Sequence, residues 1–386
     1  MGHSVSALFS PYIIDGVKMD YTPAQMLDDC LDANDRKDGN PATDFDSIVD
    51  EIVEQVPGKT VYDTGKIMYW LESIMKTGSK VCVSPTAAPG SHTRRQIASA
   101  IIGTLWKKGH FTLEDLRVDA SWLWDCAPLG NMAAFYFSAE AASRYLFDLG
   151  IRLGSYSFGK SQDGSEARFT VSAGKTEDGT ADDEYDFFND KDDKQMKYCW
   201  ISDENKCGSV ISEDPASWLI YIPFDTCEFR LGNSLLEKTA GSNGDKAPEI
   251  LDPDYFIDCF EVVRELVEDG VIMAGTAVGS GGLAAAVARL CGGHGMKADI
   301  SGIERATGEY DVMRVLFSEV PGVLIQINDA DYDYVDSQML LQDIAYYPLG
   351  HPGTEEKLQF IHGRKGVSDI LASLLQGNIP EDDQDA

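Results

Sequence analysis

The sequence predicts a mixed α/β protein organised as two domains, and three observations lead to that class. With 386 residues and 43% hydrophobic content, the chain can bury more than one core. In the stretch 255–328, Phe256, Phe260, Val263 and Val267 recur at helical spacing; a short apolar run at 271–273, a glycine-rich turn and a second helical stretch with Val287 and Leu290 follow. In the first half, a strand-like run at 116–124 leads into a helix marked by Phe135, Ala139, Ala142 and Leu146.

Taken in order, residues 1–43 are rich in acidic and turn-forming types and read as an N-terminal extension or linker. A short amphipathic helix is expected over 44–56, and strand character at 66–70 and 80–83. Ile97, Ile101 and Leu105 mark a core-facing helix between 94 and 106. In the strand at 116–124, Trp122 and Trp124 are expected to pack on its two sides, and the helix after it stops at Gly150. The run 169–172 reads as a strand. Residues 175–214, rich in Asp, Glu, Lys and Gly, read as an acidic surface insertion. A strand follows at 218–222; the helix over 256–267 ends at Gly270, where a left-handed cap costs glycine little. A C-terminal helix and acidic tail are expected over 365–386, disordered from 380 onward.

The formal charge of −32, from 64 acidic against 32 basic residues, opposes binding to nucleic acid or to anionic membranes, both of which need a basic face. No run is long and apolar enough for a membrane span, and the N-terminus lacks the pattern of a signal peptide, so the expected location is the cytoplasm. The 8 cysteines are scattered without a C-x-x-C pair, which fits reduced structural thiols; a metal at Cys199 and Cys207 is the minor alternative.

Two stretches carry candidate chemistry. Gly279, Ser280, Gly281 and Gly282 lie between a strand and a helix, where unpaired N–H groups can hold a phosphate or carboxylate; close backbone packing is the competing reason for such glycines. Residues 154–161 (GSYSFGKS) match the letters of a phosphate-binding P-loop, including Lys160 and Ser161. That mechanism needs a helix to begin at the Lys-Ser pair. Here Asp163 and Gly164 instead signal a turn between two strands. His92 and His294 lack a partner at catalytic spacing and read as loop or solvent-exposed residues, whereas Glu319 is open between a site role and loop bracing.

Several motifs together carry a resemblance: Asp119-Ala-Ser-Trp122, Leu149-Gly-Ile151, Gly159-Lys-Ser161, Gly281-Gly-Leu283, Gly292-Gly293 and the octapeptide LFSEVPGV at 316–323. In this set the chain resembles AIR-synthase-type (PurM-like) units, and among them the second, auxiliary-nucleotide unit of the phosphoribosylformylglycinamidine synthase family. The likeness covers roughly residues 44–362. It implies a barrel-forming N-terminal domain over 44–165 and a C-terminal domain over 166–364, with a sheet covered by helices. Because the N-terminal sheet of such a unit pairs with that of another, the resemblance also implies a homodimer, or a heteromer with another AIR-synthase-like unit.

Intact members couple ATP to the conversion of formylglycinamide ribonucleotide into its amidine, and magnesium holds the nucleotide. Magnesium is a hard cation that takes oxygen ligands. At the positions where the family pattern supplies them, this chain has Ser99, Gly103 and the run Thr276-Ala-Val-Gly279, while Pro85 to Gly90 replaces an aspartate segment. No catalytic residue and no metal ligand is therefore assigned, and no cofactor is expected. The phosphate candidates are Gly279, Ser280, Gly281, Gly282, Lys160 and Ser161; an active protein would use ATP or ADP with magnesium. Two functions stay open: a non-catalytic structural or regulatory subunit, or an ATP-dependent ligase, whole or a component of a split one.

Overall fold

A computed structural model describes residues 6–31, 62–77, 84–173, 199–241, 244–353 and 355–363. The helices are α1 (Ser6–Phe9), α2 (Pro23–Asp28), α3 (Ile67–Thr77), α4 (Pro89–Ile102), α5 (Asn131–Asp148), α6 (Leu235–Ala240), α7 (Pro253–Glu268), α8 (Gly282–Cys291), α9 (Ser301–Thr307), α10 (Val312–Phe317) and α11 (Tyr332–Leu341). The strands are β1 (Ile13–Ile14), β2 (Val17–Lys18), β3 (Lys107–His110), β4 (Leu116–Trp124), β5 (Arg152–Lys160), β6 (Glu166–Ala173), β7 (Trp200–Asn205), β8 (Trp218–Pro223), β9 (Ile272–Val278), β10 (Lys297–Asp299), β11 (Gly322–Ile327), β12 (Tyr347–Gly350) and β13 (Gln359–Ile361). Mixed helices and sheets are what the sequence predicts.

The chain divides into two compact units, neither contiguous in sequence. The first holds α1, α2, α4, α5, α7 and β1 to β7. Its main sheet has the order β5-β4-β6, with β4 parallel to β5 and antiparallel to β6. Alternation along β4 buries Leu116, Val118, Ala120, Trp122 and Trp124 together. Trp122 and Trp124 are thus on one side, not two, because residues two apart in a strand share a face; both contact Phe135 of α5. The Trp122 indole N–H donates to Ser138 at 2.9 Å and that of Trp124 to the Asn131 carbonyl at 2.7 Å, so neither ring buries an unsatisfied donor.

The other face of this sheet is built in rungs. Asp119 lies between Ser155 and Thr170, Ser121 between Ser157 and Arg168, and Leu123 between Gly159 and Glu166.

Several expectations are corrected here. In the run 66–70, Lys66 ends a 3-10 turn and residues 67–70 begin helix α3 instead of a strand, because Ile67, Leu71 and Ile74 share one buried face that appears only when the window runs on to Thr77. Part of 1–43 is folded: Thr22 and Gln25 form a capping box on α2, whose Met26 and Leu27 are buried. β6, expected to open a second domain, is an edge of the first unit's sheet, and α7 belongs to the first unit too. Within the expected acidic insertion, Trp200–Asn205 is a strand paired with β3, with Lys108 bridged to Glu204 at 2.6 Å. Cys199 and Cys207 flank that strand, whose length alone is roughly 17 Å at about 3.3 Å per residue, too far to share one ion. The readings for 44–56, 80–83 and 365–386 fall outside the described residues.

In α7, Arg264 ties the helix to the segment after α4 and to β3. Its guanidinium donates to the carbonyls of Leu105 (3.0 Å), Lys107 (2.8 Å) and Gly109 (2.8 Å) and to Glu268 (2.9 Å), and lies 4.1 Å from the ring centre of Phe111.

The second unit holds α3, α6, α8 to α11 and β8 to β13. Its sheet is antiparallel in the order β12-β8-β11-β9. Every residue of β11 is buried, which marks it as the centre of this layer. β10 pairs in parallel with β13. Among the described residues no helix is long and apolar enough to cross a membrane.

Candidate functional site

The glycine-rich turn joins β9 to α8 within the second unit. β9 is longer than the sequence suggests and takes in Thr276, Ala277 and Val278, so the segment that would offer ligating side chains is strand backbone paired with Val323 and Leu324. The chain then turns at Gly279. Gly281 caps α8 with φ 85°, a left-handed conformation that favours glycine.

Two donors of this turn already have acceptors. The Gly282 N–H donates to the Gly279 carbonyl at 2.8 Å. The Gly281 N–H donates to Glu319 Oε1 at 2.9 Å, and the same oxygen accepts from the Leu235 N–H, at the start of α6, at 2.8 Å. Glu319 is only 6% exposed. A buried carboxylate therefore already takes the donors that precede α8 and open α6. Arg289, its pKa lowered by burial and supported by the field of Glu319, donates to the Ser280 carbonyl at 3.3 Å. Of the two roles open to Glu319, the geometry is that of loop bracing.

The glycines themselves are explained by packing. A Cβ on Gly281 would lie 2.7 Å from Ala285 Cβ and 2.9 Å from Ile74 Cγ2. On Gly282, at φ 68°, it would lie 2.6 Å from the Leu316 carbonyl oxygen and 2.7 Å from the Phe317 backbone. No side chain fits there, whatever the turn binds.

Lys160 and Ser161 lie in the first unit and the glycine turn in the second. β5 runs as a strand through Lys160, Ser161 N–H donates to the Trp124 carbonyl at 2.8 Å, and Ser161 Oγ accepts from Asp163 N–H at 3.1 Å. The turn at Asp163 and Gly164 leads into β6, as the sequence predicts, and no helix starts at the Lys-Ser pair.

The donor set does not fit magnesium. Ser99 and Gly103 lie at the end of α4 and offer no carboxylate, nor do Thr276, Ala277 and Val278. Among the described residues no group of three His, Cys, Asp or Glu side chains is placed to hold a metal ion.

Of the two histidines, His92 differs from expectation, whereas His294 is a loop residue as the sequence predicts. His92 is a buried residue of α4, 5% exposed, with its pKa lowered to about 4 by burial and by Arg95. Because the unfolded chain takes up a proton near the ordinary histidine value of 6.5 and the folded one does so only near 4, stability present above pH 6.5 is lost as pH falls toward 4. That loss is at most about 3 kcal/mol. Urea unfolding of wild type and His92→Leu across pH 4–7 is expected to show a shallower acid decline in the variant; parallel curves would exclude His92 as its source. His294 Nδ1 lies 3.2 Å from Glu213, in an open cleft of about 340 Å³ that Glu355 also lines. The pair is solvent-accessible, and Glu355 is itself bridged to Lys297 at 3.0 Å.

No protein-family model matches the chain. It is 22% identical over 273 residues to the probable phosphoribosylformylglycinamidine synthase, chloroplastic/mitochondrial, of Arabidopsis thaliana, a match spanning 68% of this chain and 17% of that protein. It is 25% identical over 137 residues to phosphoribosylformylglycinamidine synthase of Homo sapiens, spanning 35% of this chain and 10% of the human protein. The matches thus cover less than a fifth of these relatives' length. Among solved structures, T. maritima PurL complexed with FGAR aligns with a TM-score of 0.51 at 13% identity, covering 79% of this chain and 45% of that one. The chain has the PurM-like fold and a divergent sequence relationship to phosphoribosylformylglycinamidine synthases.

Proposed function

We propose that this chain is a degenerate homologue of the second, auxiliary-nucleotide unit of phosphoribosylformylglycinamidine synthase, serving purine synthesis as a non-catalytic structural or regulatory subunit. The observation that carries the reading is the occupied turn: Glu319 accepts the Gly281 N–H that an anion would use. The lack of carboxylates at Ser99, Gly103 and Thr276 to Val278 supports it, since magnesium-held phosphate needs them. No cofactor belongs to this reading. Its role would be exercised through association with another AIR-synthase-like unit, in a homodimer or heteromer.

Thermal-shift titration of the full chain with ADP and magnesium tests the proposal. A ligand at 100 times its Kd stabilises by about 2.7 kcal/mol, an easily read rise in Tm. The expected result is no shift. A rise abolished by chelator would overturn the proposal and favour the second reading, an ATP-dependent ligase or a component of a split one. That reading draws on the retained double glycine and Lys160, and on the relatives' own activity.

A further inference from the structure

The outer side of α11 carries apolar side chains where solvent meets them, and an acid at the helix end that favours bases. Val335 and Met339 bury one side of the helix; the other side has two stripes at helical spacing, Asp333-Ser337-Leu340 and Tyr334-Gln338-Leu341. Leu340 is 69% exposed and Leu341 76%, with Tyr334 at 38% on the same stripe as Leu341. Adjacent large apolar residues on one helix face form a patch, unlike the single scattered ones of an ordinary surface.

The charge around this patch has one sign. The sequence has no Lys, Arg or His from 315 to 350, whereas Asp329, Asp331, Asp333, Asp336 and Asp343 lie on α11 or beside it. Asp329 accepts the Trp218 indole N–H at 2.8 Å and Asp336 the Tyr346 hydroxyl, neutral donors that bring no positive charge. Asp343 follows the helix at φ 54°, a left-handed position that glycine or asparagine takes more easily, and it sets a carboxylate at the helix's negative pole. Both features work against the stability of α11, and the carboxylate there would attract a cation brought from outside the chain.

We propose that the C-terminal half of α11 is a docking surface for another protein, one that offers Lys or Arg side chains next to an apolar residue. The leucines supply the contact that sheds water, and the aspartates select the sign of the partner and speed its approach. A second copy of this chain meeting the surface helix on helix would add acid to acid, with no base on either α11. The proposal rests on the reading that the chain acts by association, but not on the nucleotide result: an ADP-dependent thermal shift would leave the binding measured below unchanged.

Fluorescence anisotropy of the full chain with a short labelled helical peptide of lysine and leucine, at physiological salt, tests the surface. Binding is expected to weaken about 10-fold or more when Leu340→Ser and Leu341→Ser are combined, because burying two leucines is worth at least that much. Both side chains are exposed, so the variant keeps the wild-type fold, which circular dichroism checks. Asp343→Gly is expected to weaken binding while raising Tm, the opposite of what a purely structural aspartate would do. A peptide of lysine and serine with the same charge should bind wild type far more weakly. Equal affinity for the two peptides, or unchanged affinity in the leucine variant, would reduce the interaction to the general attraction of a chain with net charge −32 and overturn the proposal. So would absence of binding. Leu341→Cys gives a readout without peptide: it should react with a water-soluble maleimide as an open thiol, the site being located by peptide mass. Protection in the absence of peptide would mean that this chain or a second copy already covers the face, and that outcome overturns the proposal as well.

Discussion

Arg264→Met is expected to cost about 3–5 kcal/mol, the range for removing one partner of a buried charged network. The side chain is 6% exposed and satisfies three carbonyls that follow α4 and run through β3. Methionine would match much of its volume while leaving Leu105, Lys107 and Gly109 without their donor, and each unsatisfied buried acceptor costs about 1–3 kcal/mol before relaxation. Glu268 is 41% exposed, so the ion pair contributes little beside the carbonyls. Arg264→Lys should recover only part of the loss, since an ammonium cannot span three acceptors in one plane. Urea midpoints of the three proteins measure this; a methionine variant within about 1 kcal/mol of wild type would mean that the carbonyls find other donors.

Gly282→Ala is expected to destabilise by about 3 kcal/mol or more, because strain from a positive φ adds to overlap with rigid backbone. Gly293→Ala is the control. Gly293 has φ 100° but nothing within 4 Å of an added Cβ, so only the strain should register, at about 1–2 kcal/mol. A Gly282→Ala protein as stable as the control would remove the packing account of the double glycine and return weight to a ligand there. Differential scanning calorimetry on both variants decides the matter.

The residues that spoke clearly in sequence were those whose period ran long enough to exclude the alternative. Eighteen residues of α5 and sixteen of α7 keep one apolar face, and both helices end where Gly150 and Gly270 take positive φ. The five residues at 66–70 had no such length, and a short apolar run fits strand and helix alike. Trp122 and Trp124 were a matter of parity: a two-residue period places them together, and the buried row of β4 shows it. The occupied turn was harder to see, although a clue was present. Glu319 is the sole acid in the apolar run between Asp311 and Asp329, and a lone buried acid near two helix starts has orphan N–H groups as its natural partners. What no local pattern could disclose is that α7 belongs with β3, because that assignment rests on Arg264 reaching carbonyls more than 150 positions away.

That interleaving governs how the protein is made. The first unit cannot be finished until α7 emerges from the ribosome, by which time β8 and α6 of the second unit already exist as nascent chain. Vectorial folding, one unit complete before the other begins, is closed to this connectivity. No single cut separates the units into continuous fragments, so a truncation intended to isolate one of them would carry orphaned pieces of the other.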